Sequence, residues 1–230
     1  MMYYGSFLTI TTILPIALAL IGSMKIRSIK PALLGAVCFS LIQLGIRLPL
    51  LRHVLPMWDG FARFQIQSPI LFLGILSLSA GVMEECGRYA FMYYGRLKEQ
   101  REGILFGIGH GGTEALSLVG IDAAAMLFAP AIIEATPNET YLMASVERIF
   151  AMTAHVGLSL LVLYSVLRKR RILLLLAVGL HTVYDFGIVY IAHSSQNYWL
   201  AEGAAGVFSL LIAGMSLLLW KKPAGIKGVN

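Results

Sequence analysis

Glu84, Glu85, Arg88, His110, Glu114, Glu147, Arg148, His155, His181 and Asp185 interrupt four consecutive stretches that are otherwise almost wholly apolar. An ionisable side chain near a bilayer centre costs roughly 2.5–3.5 kcal/mol on insertion scales, so ten of them are not packing residues; they read as a buried polar site. Imidazole and carboxylate together, with no thiolate nearby, suit Zn²⁺ in a catalytic rather than a structural setting. Such a site polarises a carbonyl and brings water toward neutral acidity, while a neighbouring carboxylate takes the proton. Glu84 or Glu85 can fill that last role.

The spacing within each stretch supports convergence. His110 and Glu114 are i and i+4, as are His181 and Asp185, so each pair projects from one helical face. Arg88 follows Glu84 by four residues and Glu85 by three, close enough to hold either carboxylate ionised. Glu147 and Arg148 are expected to form a structural ion pair. Glu114 is equally placed to ligate metal or to support a ligand, and His155 taken alone is more often a hydrogen-bonding residue than a ligand. His53 and His193 fall in connecting segments and are given no role. Gly107, Gly109, Gly111 and Gly112 lack the Lys-Ser/Thr of a phosphate loop, and close helix approach explains them better.

The elements that must carry these residues are membrane helices. The chain is 58% hydrophobic and 13% charged, with a mean hydropathy of +0.77, against a charged share of about 25% in soluble domains. Its net charge of +6 comes from short basic clusters between apolar runs, so it marks topology rather than nucleic-acid binding. Cys38 and Cys86 lie inside apolar runs and form no metal or redox motif. Seven stretches are long enough to cross a bilayer, near 4–22, 32–51, 69–94, 104–128, 141–167, 172–192 and 199–220. The first ends in an Ala-x-Ala element but has no basic residue before it, and it is expected to be a retained helix. The reading is an all-α polytopic membrane protein, one helical domain over 1–230, with a catalytic core over 69–192.

Basic residues alternate between loops. Lys25, Arg27 and Lys30, then Arg96, Lys98 and Arg101, then Arg168 to Arg171, then Lys221, Lys222 and Lys227 mark one side, whereas the other holds only Arg52 and Arg63. The positive-inside rule places the N-terminus outside and the C-terminus inside. At 1.5 Å per residue, His110 stands about 14 Å above Arg101, His181 about 15 Å above Arg171 and Glu84 about 18 Å above Arg96. His155 lies about 20 Å above Arg168 and Asp185 about 21 Å above Arg171, so four helices contribute to one layer. A cavity opening to the cytosol would supply water to that layer and favour cleavage near the inner leaflet.

Three segments resemble the signatures of the CAAX-protease and bacteriocin-processing superfamily. They are Glu84-Glu85-Cys-Gly-Arg88, Phe106-Gly-Ile-Gly-His110 and His181-Thr-Val-Tyr-Asp185. The longer run through Glu114, with Glu147-Arg148 and His155 on the next helix, is most similar to the YhfC branch of intramembrane metalloproteases. PrsW-type proteases are a related comparison. Two residues separate Glu85 from Arg88 where the prenyl-protein proteases have three, which is nearer the PrsW pattern and argues against a prenylated substrate. The resemblance implies Glu84 as general base, His110 and His181 as metal ligands, and Asp185 as ligand or oxyanion partner; His155 has no counterpart in the three motifs. It also implies a multi-pass protein of a bacterial plasma membrane.

The expectation is therefore an intramembrane zinc-dependent endopeptidase acting on a membrane-embedded or membrane-proximal peptide. Glu84, Glu85 and Arg88 are the catalytic candidates, and His110, His155, His181 and Asp185 the metal candidates. Two other classes stay open. Histidine–carboxylate chains also form metal-ion or proton pathways, although no internal repeat of the transporter kind is visible. A catalytically silent peptide-binding or bacteriocin-immunity protein is the other.

Overall fold

The computed structural model describes residues 2–221, and among them there are helices and turns but no strand. Seven helices have the length and apolarity to cross a membrane: α1 (Met2–Ile26), α2 (Lys30–Met57), α4 (Pro69–Tyr94), α5 (Gln100–Phe128), α7 (Asn138–Arg168), α8 (Arg171–Ser195) and α9 (Tyr198–Lys221). Two short connecting helices, α3 (Asp59–Gln67) and α6 (Pro130–Ala135), were not expected from the sequence. The spans run up to six residues beyond the apolar windows at either end. Lys222 and Lys227 of the last basic cluster lie outside the described residues.

Local signals set the helix ends. Proline occupies the first turn of α2 and of α4, where no N–H is needed. Glu99 and Glu102 form a reciprocal capping box at the start of α5. Arg27, Arg96, Lys169 and Gln196 take left-handed conformations that stop α1, α4, α7 and α8. The resulting connections are only a few residues long, so consecutive helices are forced to run antiparallel.

The helix α7 is the hub. Two-thirds of its most apolar window is buried, against a third or less for α1, α2, α4, α8 and α9, and it packs on α1, α4, α5, α8 and α9. The helix α5 lies between α2 and α7, and glycine sets both distances. A Cβ on Gly109 would sit 2.1 Å from the Ala32 carbonyl oxygen of α2, and one on Gly107 would sit 2.6 Å from the Val156 Cα of α7. Van der Waals contact between backbones is the main association force available in lipid, and small residues permit it. His110, directly after Gly109, is thereby pinned to a fixed depth and rotation.

Candidate functional site

Each charged residue singled out from the sequence has a defined place. Glu84, Glu85 and Arg88 project from α4, His110 and Glu114 from α5, Glu147, Arg148 and His155 from α7, and His181 and Asp185 from α8. Glu84, Glu85, Arg88, His110, His155 and His181 are all buried. Asp185 differs, with 36% of its side chain exposed.

Glu84 is the most heavily contacted carboxylate. Its Oε2 accepts from Nε2 of His110 at 2.9 Å and from Nη2 of Arg88 at 3.3 Å, while its Oε1 accepts from the side-chain amide of Gln43. Three side chains from three helices thus converge on one buried carboxylate. The other nitrogen of His110, Nδ1, is buried with no hydrogen-bond partner.

Glu85, fully buried one position along α4, faces α8. Its Oε1 accepts from Nδ1 of His181 at 2.6 Å and lies 3.6 Å from Nε of Arg88. That contact leaves Nε2 of His181 directed toward Asp185, whose Oδ2 is 3.6 Å away, too far for a hydrogen bond. A carboxylate on Nδ1 with Nε2 free is how proteins orient histidine to ligate metal or to accept a proton.

Arg88 ties the two halves together. Besides the glutamates it reaches the backbone carbonyl of His155 at 3.1 Å, Ser159 at 3.3 Å and Nδ1 of His155 at 2.5 Å. A guanidinium only donates, so Nδ1 of a neutral His155 ring accepts and the ring proton sits on Nε2, which contacts Oε2 of Glu114. Glu114 in turn pairs with Arg148 at 3.1 Å, and Arg148 also pairs with its neighbour Glu147. The Glu147–Arg148 ion pair thus extends across helices to Glu114, and Glu114 supports His155.

Ligand atoms of Glu84, His110 and His155 all lie within 4.8 Å of one another. The imidazoles form a row, His110 to His155 at 5.3 Å and His155 to His181 at 5.8 Å between ring centres. His181 and Asp185 flank the tighter group rather than belonging to it. The set fits a metal ion in composition, and the unpartnered Nδ1 of His110 is a spare donor. One condition follows from Arg88: a neutral imidazole has one lone pair, so an ion on His155 displaces that contact, and the guanidinium keeps Ser159 and the His155 carbonyl as acceptors.

The cluster ends a cavity of about 300 Å³ that Glu84, His155, His181 and Asp185 line at its base. Its other walls include Arg47, Leu76, Glu147 and Val189. Counted from the basic ends of their helices these residues stand about 25–32 Å along, whereas the base stands at about 15–21 Å. The cavity therefore runs away from the basic loops, opposite to the cytosolic opening expected from the sequence. The basic side is closed because Met92, Phe106, Leu161, Val162, Leu163 and Ala177 form a solvent-free apolar core there.

Two cavity residues outside the expected core escaped the sequence reading. Gln43 and Arg47 sit on α2, before the expected core of 69–192. An arginine inside the second apolar stretch was a signal in plain view. Glu202 on α9 was also missed; it is buried, with Oε2 unpartnered, toward the end of the bundle distant from the basic loops.

Comparison with known proteins agrees with the architecture. The chain is 29% identical over 241 aligned positions, 90% of each chain, to a Bacillus subtilis (strain 168) protein described as uncharacterized membrane protein YhfC. No solved structure matches. The family model described as YhfC intramembrane metalloprotease matches residues 10–135 and 121–205. The later part of α1, helices α2 to α8 and every residue of the cluster fall within those matches, and this multi-pass membrane protein belongs to the YhfC intramembrane metalloprotease family.

Proposed function

We propose that the chain is an endopeptidase that hydrolyses a peptide bond within or beside the membrane, using a bound metal ion and Glu84 as proton acceptor. The observation that carries this reading is the cavity-facing Glu84 beside three imidazoles at mid-membrane depth. His110 and His155 would hold the ion, with the free Nε2 of flanking His181 as a further donor, and Zn²⁺ suits these groups. Bound there, it would polarise the scissile carbonyl and acidify water.

The chain's own residues supply the rest. Glu84 faces the cavity and Glu85 does not, so Glu84 is the carboxylate placed to take a proton from water and return it to the leaving amide. Glu85 orients His181, and Arg88 balances both glutamates. Asp185, partly exposed at the base of the cavity and free of hydrogen bonds, can receive a backbone N–H of the substrate. The cavity volume admits a few residues of extended chain and no intact helix, whose diameter is about 10–12 Å. The substrate is thus a locally unwound membrane peptide, reached from the half of the bilayer opposite the basic loops.

A second assignment rests on the Glu85–His181 contact. There Glu84 joins His110 and His155 as a metal ligand, and His181, polarised by Glu85, takes the proton. The variant Glu84→Gln separates the two. It keeps shape but not basicity, so with Glu84 as acceptor the purified protein holds its metal and loses at least about 10²–10⁴-fold in peptide cleavage. With Glu84 as ligand, metal content falls as well. Near-wild-type cleavage by Glu84→Gln excludes both, and metal-loaded wild type that cuts no membrane peptide excludes the protease reading.

A further inference from the structure

We infer that Gln43, held by Arg47, is a positioning residue that fixes the carboxylate of Glu84 for proton transfer; the inference rests on the proposed role of Glu84. Gln43 lies in the Ser40–Arg47 segment of α2, which is wound as a π-helix, a wider coil that recurs at functional sites. It is buried, lines the cavity, and donates its amide to Oε1 of Glu84.

The amide has two ends, and Arg47 decides which one meets Glu84. Nη1 of Arg47 lies 3.3 Å from Oε1 of Gln43. A guanidinium cannot accept, so the amide oxygen must face Arg47 and the NH₂ must face the carboxylate. Arg47 is itself anchored on α4, the helix that carries Glu84, through Ser79 Oγ at 3.1 Å and the Leu76 carbonyl at 2.8 Å. The brace runs from α4 through α2 and back to α4. His110 and Arg88 both act on Oε2, which leaves Gln43 as the group that restrains Oε1. Being uncharged, it fixes orientation without adding a second cation beside the metal ligands.

The test has two readouts. With a library of fluorogenic single-span peptides in detergent, Gln43→Leu is expected to lower kcat about tenfold or more while KM stays within about threefold, the signature of an interaction used in the transition state. Gln43→Asn should recover little, because its amide is one methylene short. Arg47→Met frees the amide to turn and should also lower kcat. The Gln43→Leu/Arg47→Met double variant should be no worse than Gln43→Leu alone, since both remove one brace. A merely structural contact would instead give additive losses of stability with unchanged kcat in the folded fraction, which overturns the inference.

The second readout needs no turnover. The side-chain amide NMR signal of Gln43, assigned in detergent, should shift in Glu84→Gln and in Arg47→Met. A signal indifferent to both substitutions overturns the inference whatever the enzyme cleaves. A wild type that cleaves none of the peptides, with the amide shifts intact, supports the brace and sinks the protease reading instead.

Discussion

Arg88 concentrates the energetics of the site in one side chain. It is fully buried and faces Glu84, Glu85, His155 and Ser159 at once. Two carboxylates buried in a membrane bundle without it would be uncompensated charges. Arg88→Leu is therefore expected to destabilise the bundle by about 3–5 kcal/mol, the range for breaking a buried ion pair from one side. Thermal unfolding in detergent measures it. Arg88→Lys should recover only part of the loss, because a point charge cannot span acceptors on α4 and α7 together. Wild-type stability in Arg88→Leu would show that the glutamates are neutral, and the proton-acceptor role of Glu84 would fall with it.

At the scale of the helix, the contact between α2 and α5 sets whether Gln43 reaches Glu84. Gly109 meets the Ala32 carbonyl there, and Gly35 meets the Phe106 carbonyl, each at 2.1 Å from an added Cβ. Those neighbours are backbone and cannot rotate away. Gly109→Ala should lower the detergent unfolding temperature by the equivalent of about 1–3 kcal/mol, as overpacking does. It should also reduce activity in the folded fraction by moving α2. Gly203 on α9 has nothing within 4 Å of an added Cβ, and Gly203→Ala should be neutral or slightly stabilising. Equal behaviour of the two variants would refute a distance set by glycine.

For the whole molecule the testable property is sidedness. Asn138 and Ser195 should be labelled from the outside, and Lys98 and Lys169 from the inside, after substitution with cysteine in a chain lacking Cys38 and Cys86. In the same background Ser77→Cys, in the cavity wall, should react with a membrane-impermeant thiol reagent added on the Asn138 side, and Leu161→Cys in the apolar core should react from neither. Labelling of Ser77→Cys solely from the Lys98 side would restore a cytosolic opening and reverse the proposed substrate route.

The sequence by itself determined the seven spans and the depth of each polar residue, because helix rise is constant and depth is a matter of counting. It also determined which residues share a face, since His110 with Glu114 and His181 with Asp185 follow from helical periodicity alone. Rotation of each helix and the order of its neighbours depend instead on long-range packing, which counting does not carry. Only the tertiary structure therefore decided that Glu84 meets His110 while Glu85 meets His181, and that His155 is claimed by Arg88 and Glu114. It alone brought Gln43 of α2 to Glu84, a single neutral amide that stands out in no composition or spacing. The direction of the cavity was settled the same way. Basic loops mark which side of a membrane a helix end faces, but side-chain volume between the helices decides where water can enter, and the large apolar residues fill the basic half.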